Sequence, residues 1–562
     1  MFLVTKKNRL RGKIYEYVQV IENYRDKGAI KQRVIFNVGR KDQVDPAEIA
    51  KLVKVLSRLS EEVMVLNAVD PDMTASWSLD HGIPLLYHHL WKRAGLDEMI
   101  RGLARGRGYG FDVERALFLL VVNRLMDPTS ELGISQWKER GLFLSTTPAT
   151  AREGDFHDLE LHHLYRTLDF LEKEKETIEM RLFDKTRTLC NSSVTLVFFD
   201  TTSTYYEGSG KHSDELLQYG RSKDHRGDRT QLVVGVLMDQ RGIPLGCECV
   251  PGNTQDVTLI KTLMGKVKER FRLEDIVWVS DGGMTSEQKI AALKNLRIKF
   301  ILGARMKNVK EVYEKVRDEK TKAEIMAALT SIPRSPGDQR EPLGYYEFLS
   351  ATHADRRYVI VYNPEEAERE RKTREAVAAK LRETLTSRNS VKELIKNKKY
   401  RSYLAVSEGS LVTVDENKAK KDEAWDGLFV LQTDTDLPAS QAVMRYKDLY
   451  QVEQAFATLK SRLDVRPIFH HKDRRIAAHA FVNVLALYLW ASLLRLLKDH
   501  GMYAEKIAEA LDAVASIRIV ELTVAGKTYH LRTELPPEAQ AAFRHVGLSP
   551  GKRLNTVTSG RV

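Results

Sequence analysis

Three carboxylates frame the chemistry of this chain: Asp200, Asp281 and Glu453. Asp200 closes the short apolar run Val194-Thr195-Leu196-Val197-Phe198-Phe199, and Asp281 closes a second, Ile276-Val277-Trp278-Val279-Ser280. Runs of this length, rich in β-branched and aromatic residues, read as buried strands. Glu453 stands on a stretch with helical periodicity. Hard divalent cations take oxygen ligands, and Mg²⁺ is held by a few carboxylates while keeping waters and phosphate oxygens. Two such ions about 4 Å apart activate an attacking oxygen and steady a leaving one. Three converging carboxylates would therefore suit metal-assisted attack at a phosphodiester. A single Asp after a strand carries little weight; two after strands and a Glu on a helix carry more.

The stretch that must aim Glu453 is Tyr446 to Lys460, predicted as one helix with Pro438 near its first turn. Tyr446, Glu453 and Lys460 fall seven apart, close to two turns, so they share a face. Leu449, Val452, Phe456, Leu459 and Leu463 form an adjacent apolar stripe, which predicts packing on a core. An amphipathic helix with a solvated Glu has the same pattern, so the rest of the chain must decide.

Gln231–Leu237 and Ile243–Val250 read as strands joined by the turn Asp239-Gln240-Arg241-Gly242. A helix is expected over Val257–Phe271, another over Ser286–Leu296, and a fifth strand at Lys299–Leu302. Three strands, helix, strand, helix, strand is the order of a ribonuclease H-like α/β core with a mixed sheet. The two Asp then sit at the C-terminal ends of the first and fourth strands, where open sheets place their ligands. Thr201-Thr202-Ser203-Thr204 would line a phosphate path or form a turn that needs hydroxyls. Gly282-Gly283 admits a closely approaching strand or makes a plain turn. The loop from Arg221 to Arg229, with Lys223, His225 and Arg226, grips phosphates or is simply solvated.

At 562 residues the chain exceeds a single core. The reading gives a basic, β-rich DNA-binding region at 1–66, with Lys13–Val20 paired to Arg33–Val38 and a helix near 46–66. A linker over 65–78 follows, then a helical DNA-binding region at 80–190. The core occupies 191–304 and 438–500, interrupted by an inserted domain at 305–437. The insertion carries strands at Tyr358–Tyr362 and Leu428–Gln432, a charged helix at Glu365–Leu385 and a basic run at Lys392–Lys399. A C-terminal region, 501–562, has one strand at Ile517–Val524 and a weakly structured tail. Hydrophobic residues make up 43% and charged ones 30%, which excludes a disordered chain. Lys and Arg outnumber Asp and Glu by 89 to 77, a net +12 that suits a polyanionic partner. Cys190, Cys247 and Cys249 offer neither a disulfide framework nor zinc spacing. No signal peptide is read at the N-terminus. The apolar stretch Ile476–Leu494 holds His479 and Asn483 and is expected as a buried helix, not a membrane span.

Tyr446, Glu453 and Lys460 resemble the Y-x2-R-x3-E-x6-K signature of bacterial insertion-sequence DDE transposases. Phe199-Asp200-Thr201-Thr202-Ser203 and Ser280-Asp281-Gly282-Gly283-Met284 are similar to that family's two acidic motifs. Ser222–Arg226, Pro251-Gly252-Asn253-Thr254 and Arg466-Pro467-Ile468-Phe469-His470 look like it too. The likeness covers about 190–500 well and the N-terminal part loosely. It implies a triad of Asp200, Asp281 and Glu453 binding two Mg²⁺ or Mn²⁺ ions. It also implies cleavage at terminal inverted repeats, joining of 3′-OH ends to target DNA, and a synaptic homodimer acting in the bacterial cytoplasm at the nucleoid, with no membrane. DNA contacts are expected from Tyr446, Lys460, Lys223, His225 and Arg226. The chain departs from the signature at Leu449, where the family has Arg. Leu449 leans into the apolar stripe, and Arg445, one turn earlier, is the expected substitute; Lys447 points to the other side of a continuous helix. A phosphatase using Asp200 as nucleophile would want a second Asp where Thr202 stands. An inactive DNA-binding relative and a nuclease without strand transfer remain the other readings.

Overall fold

The computed structural model describes residues 2–10, 13–26, 29–41, 74–137, 156, 158–188, 195–206, 215–220, 228–254, 256–271, 276–281, 286–333, 340–353, 355–386, 398–407, 411–461, 463, 468–524, 527–551 and 553–556. The chain forms two compact units, one of residues 1–174, 462–464 and 481–562, the other of 175–461 and 465–480.

In the first unit β1 (Phe2–Leu10), β2 (Lys13–Asp26) and β3 (Ala29–Arg40) make an antiparallel sheet. The β2–β3 hairpin follows the expected alternation, and β1 adds a third strand. The helix expected near 46–66 lies outside the described residues. The end of the expected linker, 74–78, belongs instead to a strand, β4 (Thr74–Asp80). Five helices follow: α1 (Gly82–Arg93), α2 (Leu96–Ala104), α3 (Val113–Met126), α4 (Glu131–Trp137) and α5 (Leu161–Thr188). Asp112 caps α3, its carboxylate accepting from the amides of Glu114 (3.0 Å) and Arg115 (3.2 Å). Ser130 accepts from the Gly133 amide at 3.2 Å, which starts α4.

His88 on α1 packs beside Phe118 at 5.2 Å between centroids, and burial, helped by Lys92, pulls its pKa down to about 4. In the unfolded chain the imidazole takes its proton first as pH falls. Its contribution is therefore complete above about 6.5 and lost towards 4. Denaturant unfolding of His88→Leu and wild type at pH 7 and pH 4.5 should show the variant losing less stability over that interval, by roughly 2–3 kcal/mol. Equal losses would remove His88 from the acid sensitivity.

The second unit is built on one sheet. Its inner strands are β5 (Thr195–Tyr205), β6 (Gln231–Met238), β7 (Pro244–Pro251), β8 (Ile276–Ser280) and β9 (Lys299–Ala304). Helices α6 (Asp256–Phe271) and α7 (Glu287–Asn295) come between them. Further on are α8 (Lys310–Arg317), α9 (Glu319–Ala327), β10 (Thr330–Ile332), β11 (Leu343–Leu349), β12 (Arg357–Tyr362), α10 (Pro364–Thr386), α11 (Lys398–Arg401), the hairpin β13 (Leu404–Ser407) and β14 (Leu411–Val414), α12 (Glu416–Glu423) and β15 (Leu428–Thr433). The described strands run β10-β11-β12-β15-β9-β8-β5-β6-β7. β8 is parallel to β5 and to β9, and the other pairings are antiparallel. The inner order β7-β6-β5-β8-β9 is that of a ribonuclease H-like core. Segment 305–437 supplies β10, β11, β12 and β15, which continue the same sheet.

One face of the sheet is sealed by α6 and α7. Leu237, Trp278, Phe300 and Leu302 pack there with Ile260, Met264, Ile290 and Leu293. Over the other face lie α13 (Ala439–Lys447), against β8 and β9, and α14 (Leu449–Ser461), against β5. The single helix expected from Tyr446 to Lys460 is therefore two, parted at Asp448. Asp is a weak helix former because its carboxylate competes for local partners, and here it is drawn to Arg445 at 3.6 Å. The apolar stripe is as expected: Leu449, Val452, Leu459 and Leu463 are buried. β5 also differs from expectation. It does not end at Asp200 but runs on through Thr201–Tyr205, paired with Gly235 to Gln231 of β6, so Thr201–Ser203 are strand and not turn.

The apolar stretch forms α15 (Asp473–Asp499). An 18-residue window of it has mean hydropathy 1.8, and 72% of that window is buried inside the protein. The chain then completes the first unit with α16 (Ala504–Ala515), β16 (Arg518–Val524), β17 (Lys527–Arg532), α17 (Pro537–Val546) and β18 (Leu554–Thr556). The tail expected to be weakly structured is thus folded. Its strands join in the order β18-β17-β16-β4, and Ala539, Ala542, Phe543 and Val546 bury one stripe of α17. Gly82 lies so close beneath α16 that a Cβ would stand 2.0 Å from the Val514 carbonyl oxygen.

Candidate active site

Strand register brings the acidic positions together. β5 and β8 pair with an offset of 81 (Phe198 opposite Val279; 279 − 198 = 81), which carries Asp200 level with Asp281. β8 and β9 pair with an offset of 22 (Ser280 opposite Leu302; 302 − 280 = 22), which carries Asp281 level with Gly303. Successive strand residues alternate between faces. Trp278, Phe300 and Leu302 face α6 and α7, so positions 281 and 303 belong to the face under α13 and α14. Leu237 also packs with α6 and α7, so its neighbour Val236, and the Asp200 position paired with it, belong to that same open face.

Tyr446, on the last turn of α13, stands on this face. Its hydroxyl rests over Gly303, where a Cβ would come 2.2 Å from Oη and 2.8 Å from Cζ. Its ring stacks on Phe429 of β15 with centroids 5.9 Å apart. Burial pushes its pKa up to about 12, with the negative charges of Asp281 and Glu453 adding to the effect. The phenol is therefore a protonated donor at neutral pH, within the field of two carboxylates 453 − 281 = 172 residues apart in sequence. Asp281 and Glu453 are themselves exposed. Beside them opens a cavity of about 750 Å³, lined by Tyr446, Glu453, Lys447, Tyr450, Phe429 and Arg340 among others.

Arg445 donates to Gln240 of the β6–β7 turn at 2.7 Å and pairs with Asp448, which ties the break between α13 and α14 to that turn. Lys460 has its backbone on α14; its side chain and those of Asp200 and Thr201–Ser203 lie outside what the structure describes. Lys223, His225, Arg226 and Gly282-Gly283 lie outside the described residues. Lys447, set aside in the sequence as pointing to the other side of the helix, lines the cavity with Glu453. Arg340 was missed because nothing local marks a cation in the segment between β10 and β11.

The sheet order and the acid-bearing open face define a ribonuclease H-like α/β protein. Residues 194–489 match the family model for the transposase DDE domain, and residues 3–70 match that for the N-terminal domain of IS1634 family transposases. The first match spans 489 − 194 + 1 = 296 of 562 residues, more than half. The chain belongs to this family and is an insertion-sequence DDE transposase, an enzyme acting on DNA. No curated protein matches it. Among solved structures it is similar to the piggyBac transposase synaptic complex with hairpin DNA, at 10% identity and TM-score 0.31, over 77% of this chain and 80% of that one. It is also similar to the Mos1 transposase paired-end complex with the left transposon end, at 12% identity and TM-score 0.14, over 34% of this chain and 60% of that one. A third is the Mos1 mariner paired-end complex with Mn, at 10% identity and TM-score 0.14, over 37% and 65%. The chain thus spans less than two thirds of either Mos1 chain.

Proposed function

We propose that this transposase cuts DNA at the terminal inverted repeats of its element and joins the freed 3′-OH ends to target DNA, with Asp200, Asp281 and Glu453 as the metal-holding set. The observation that carries this reading is the shared field of Asp281 and Glu453 on Tyr446, with Asp200 level with Asp281 in the sheet. The donor set fits Mg²⁺ or Mn²⁺. All three groups are hard oxygen ligands, and the exposure of Asp281 and Glu453 leaves room for waters and phosphate oxygens. Two ions bound there supply Lewis-acid activation of the attacking oxygen and charge stabilisation of the leaving one. Tyr446, held protonated, donates a hydrogen bond to a backbone phosphate. Lys460 and Lys447 add positive charge along the same path, and Arg445 holds the break from which Tyr446 and Glu453 are aimed. Lys223, His225 and Arg226 grip the strand from the loop before β6. Two copies pair in the synaptic complex.

Incubating the protein with a labelled end and Mg²⁺ tests this. Nicked and joined products support it, cleavage without joining makes the protein a nuclease, and binding without cleavage makes it an inactive relative.

End recognition is assigned to the region before 190. A truncation at 191 does not isolate it, because β4 pairs with β16 and Gly82 packs under α16. Removing residues 1–73 leaves that sheet intact. The shortened protein should lose preference for the end sequence and keep weak, salt-sensitive affinity for any duplex. Undiminished preference in a competition binding assay would place recognition elsewhere.

A further inference from the structure

Between α2 and α3 the chain reads Arg105-Gly106-Arg107-Gly108-Tyr109-Gly110-Phe111. We propose that this loop, with Arg166 of α5, is a preformed cradle for the sugar–phosphate backbone of duplex DNA, one that binds without reading sequence. The inference rests on DNA being the substrate and goes beyond it by naming the surface.

Gly106 (φ +77) and Gly108 (φ +64) hold the left-handed backbone that glycine favours. Among the described residues a Cβ at Gly106, Gly108 or Gly110 would meet nothing within 4 Å, so none of them covers the outer side of the loop. Its inner side is fastened. His163, Arg166, Phe170 and Glu174 lie at helical spacing on one face of α5. Phe111 stacks on His163 at 4.3 Å, Tyr109 meets Phe170 edge-on at 5.9 Å, and Arg107 pairs with Glu174 at 2.6 Å. The loop is therefore open on one side and rigidly seated on the other, so little ordering entropy is lost when a strand docks.

The charges sort in the same way. Four described acids of the neighbourhood are committed within the protein. Glu114 is buried and accepts from Trp91 (2.8 Å) and Arg101 (2.6 Å); Asp112 caps α3; Asp158 pairs with Arg115 at 3.3 Å. Glu174 is taken by Arg107. Arg105 is exposed, and Arg166 spreads its guanidinium over Tyr109 and Phe111, 5.3 Å from each centroid. Guanidinium groups are weakly hydrated and match phosphate geometry as a fork, and the seated Arg166 with the exposed Arg105 beside an open backbone suits a polyphosphate ridge.

The test compares duplex binding by the full chain, Arg105→Gln, Arg166→Gln and the double variant across a salt series. The control is Arg371→Gln, an equal charge change on the surface of α10. Each loop variant should weaken binding to cognate and random duplex alike, and the slope of log affinity against log salt should shrink by about 1 per contact removed. Arg371→Gln should leave the slope unchanged. A double variant with wild-type slope overturns the proposal, as does a control that lowers the slope equally, or a loss confined to the cognate end. Thermal melting of Arg105→Gln guards against misfolding, because among the described residues this side chain has no recorded partner. If wild type itself fails to bind duplex, the DNA reading falls; if wild type binds and the variants match it, only the cradle falls.

Discussion

Asp281→Asn and Glu453→Gln should each reduce end cleavage by on the order of 10³-fold or more while leaving end binding near normal. Each replacement keeps the shape of the side chain but removes an anionic oxygen from the set that would hold the metal. Metal-assisted stabilisation of a phosphodiester transition state is worth several kcal/mol, and ~1.4 kcal/mol is tenfold in rate. Little packing is lost, because both groups are exposed. Tyr446 supplies a second readout. Asp281 and Glu453 both raise its pKa, so either amide should lower the pH at which the phenol ionises, measurable by ultraviolet titration as a difference from wild type. Cleavage at wild-type rates in Glu453→Gln would remove that residue from the site. A changed Tyr446 titration with unchanged cleavage would show that the acids are neighbours without being catalytic.

Gly303→Ala should damage both stability and cleavage. The added carbon would lie 2.2 Å from the Tyr446 hydroxyl, closer than any real contact. Either the ring leaves Phe429 or β9 shifts beneath it. Overpacking of this kind costs roughly 1–3 kcal/mol, and moving Tyr446 away from Asp281 and Glu453 should slow cleavage about tenfold to a hundredfold. A double-mutant cycle separates the causes. In a Tyr446→Ala background Gly303→Ala should cost little further stability, since the clash partner is gone. If it costs as much there as in wild type, the glycine serves the backbone and not the seat of Tyr446.

Much of this was legible in the chain. The strands from 231 to 302 and the helices between them were visible because apolar β-formers alternate cleanly with turn signals and amphipathic stretches. Asp281 after a strand and Glu453 on a helix stand as read, whereas Asp200 lies within β5 and not at its end. What escaped depends on contacts far away in sequence. Thr201–Tyr205 looks polar and turn-like, but β-branched Thr suits a strand once β6 is alongside. The break at Asp448 displaces no apolar residue, so periodicity is blind to it. Gly303 in a strand has no local meaning; only the register with Asp281 and the arrival of Tyr446 give it one. The tail was dismissed because its strands are short and its partner, β4, lies at the far end of the chain.

That last pairing bears on how the protein is made. Asp80 of β4 finds its partner at Arg518, 438 residues later. Ribosomes add about 5–20 residues each second, so a nascent chain that has already made β4 waits roughly twenty seconds to a minute and a half for β16 to exist. Within that interval the residues of the second unit, which ends at 480, are all made before the strands that finish the first. A message broken or stopped before codon 518 would therefore yield the residues of the catalytic unit without the β16–β18 strands that pair with β4. Completion of the first unit is in effect a check that translation has passed β18.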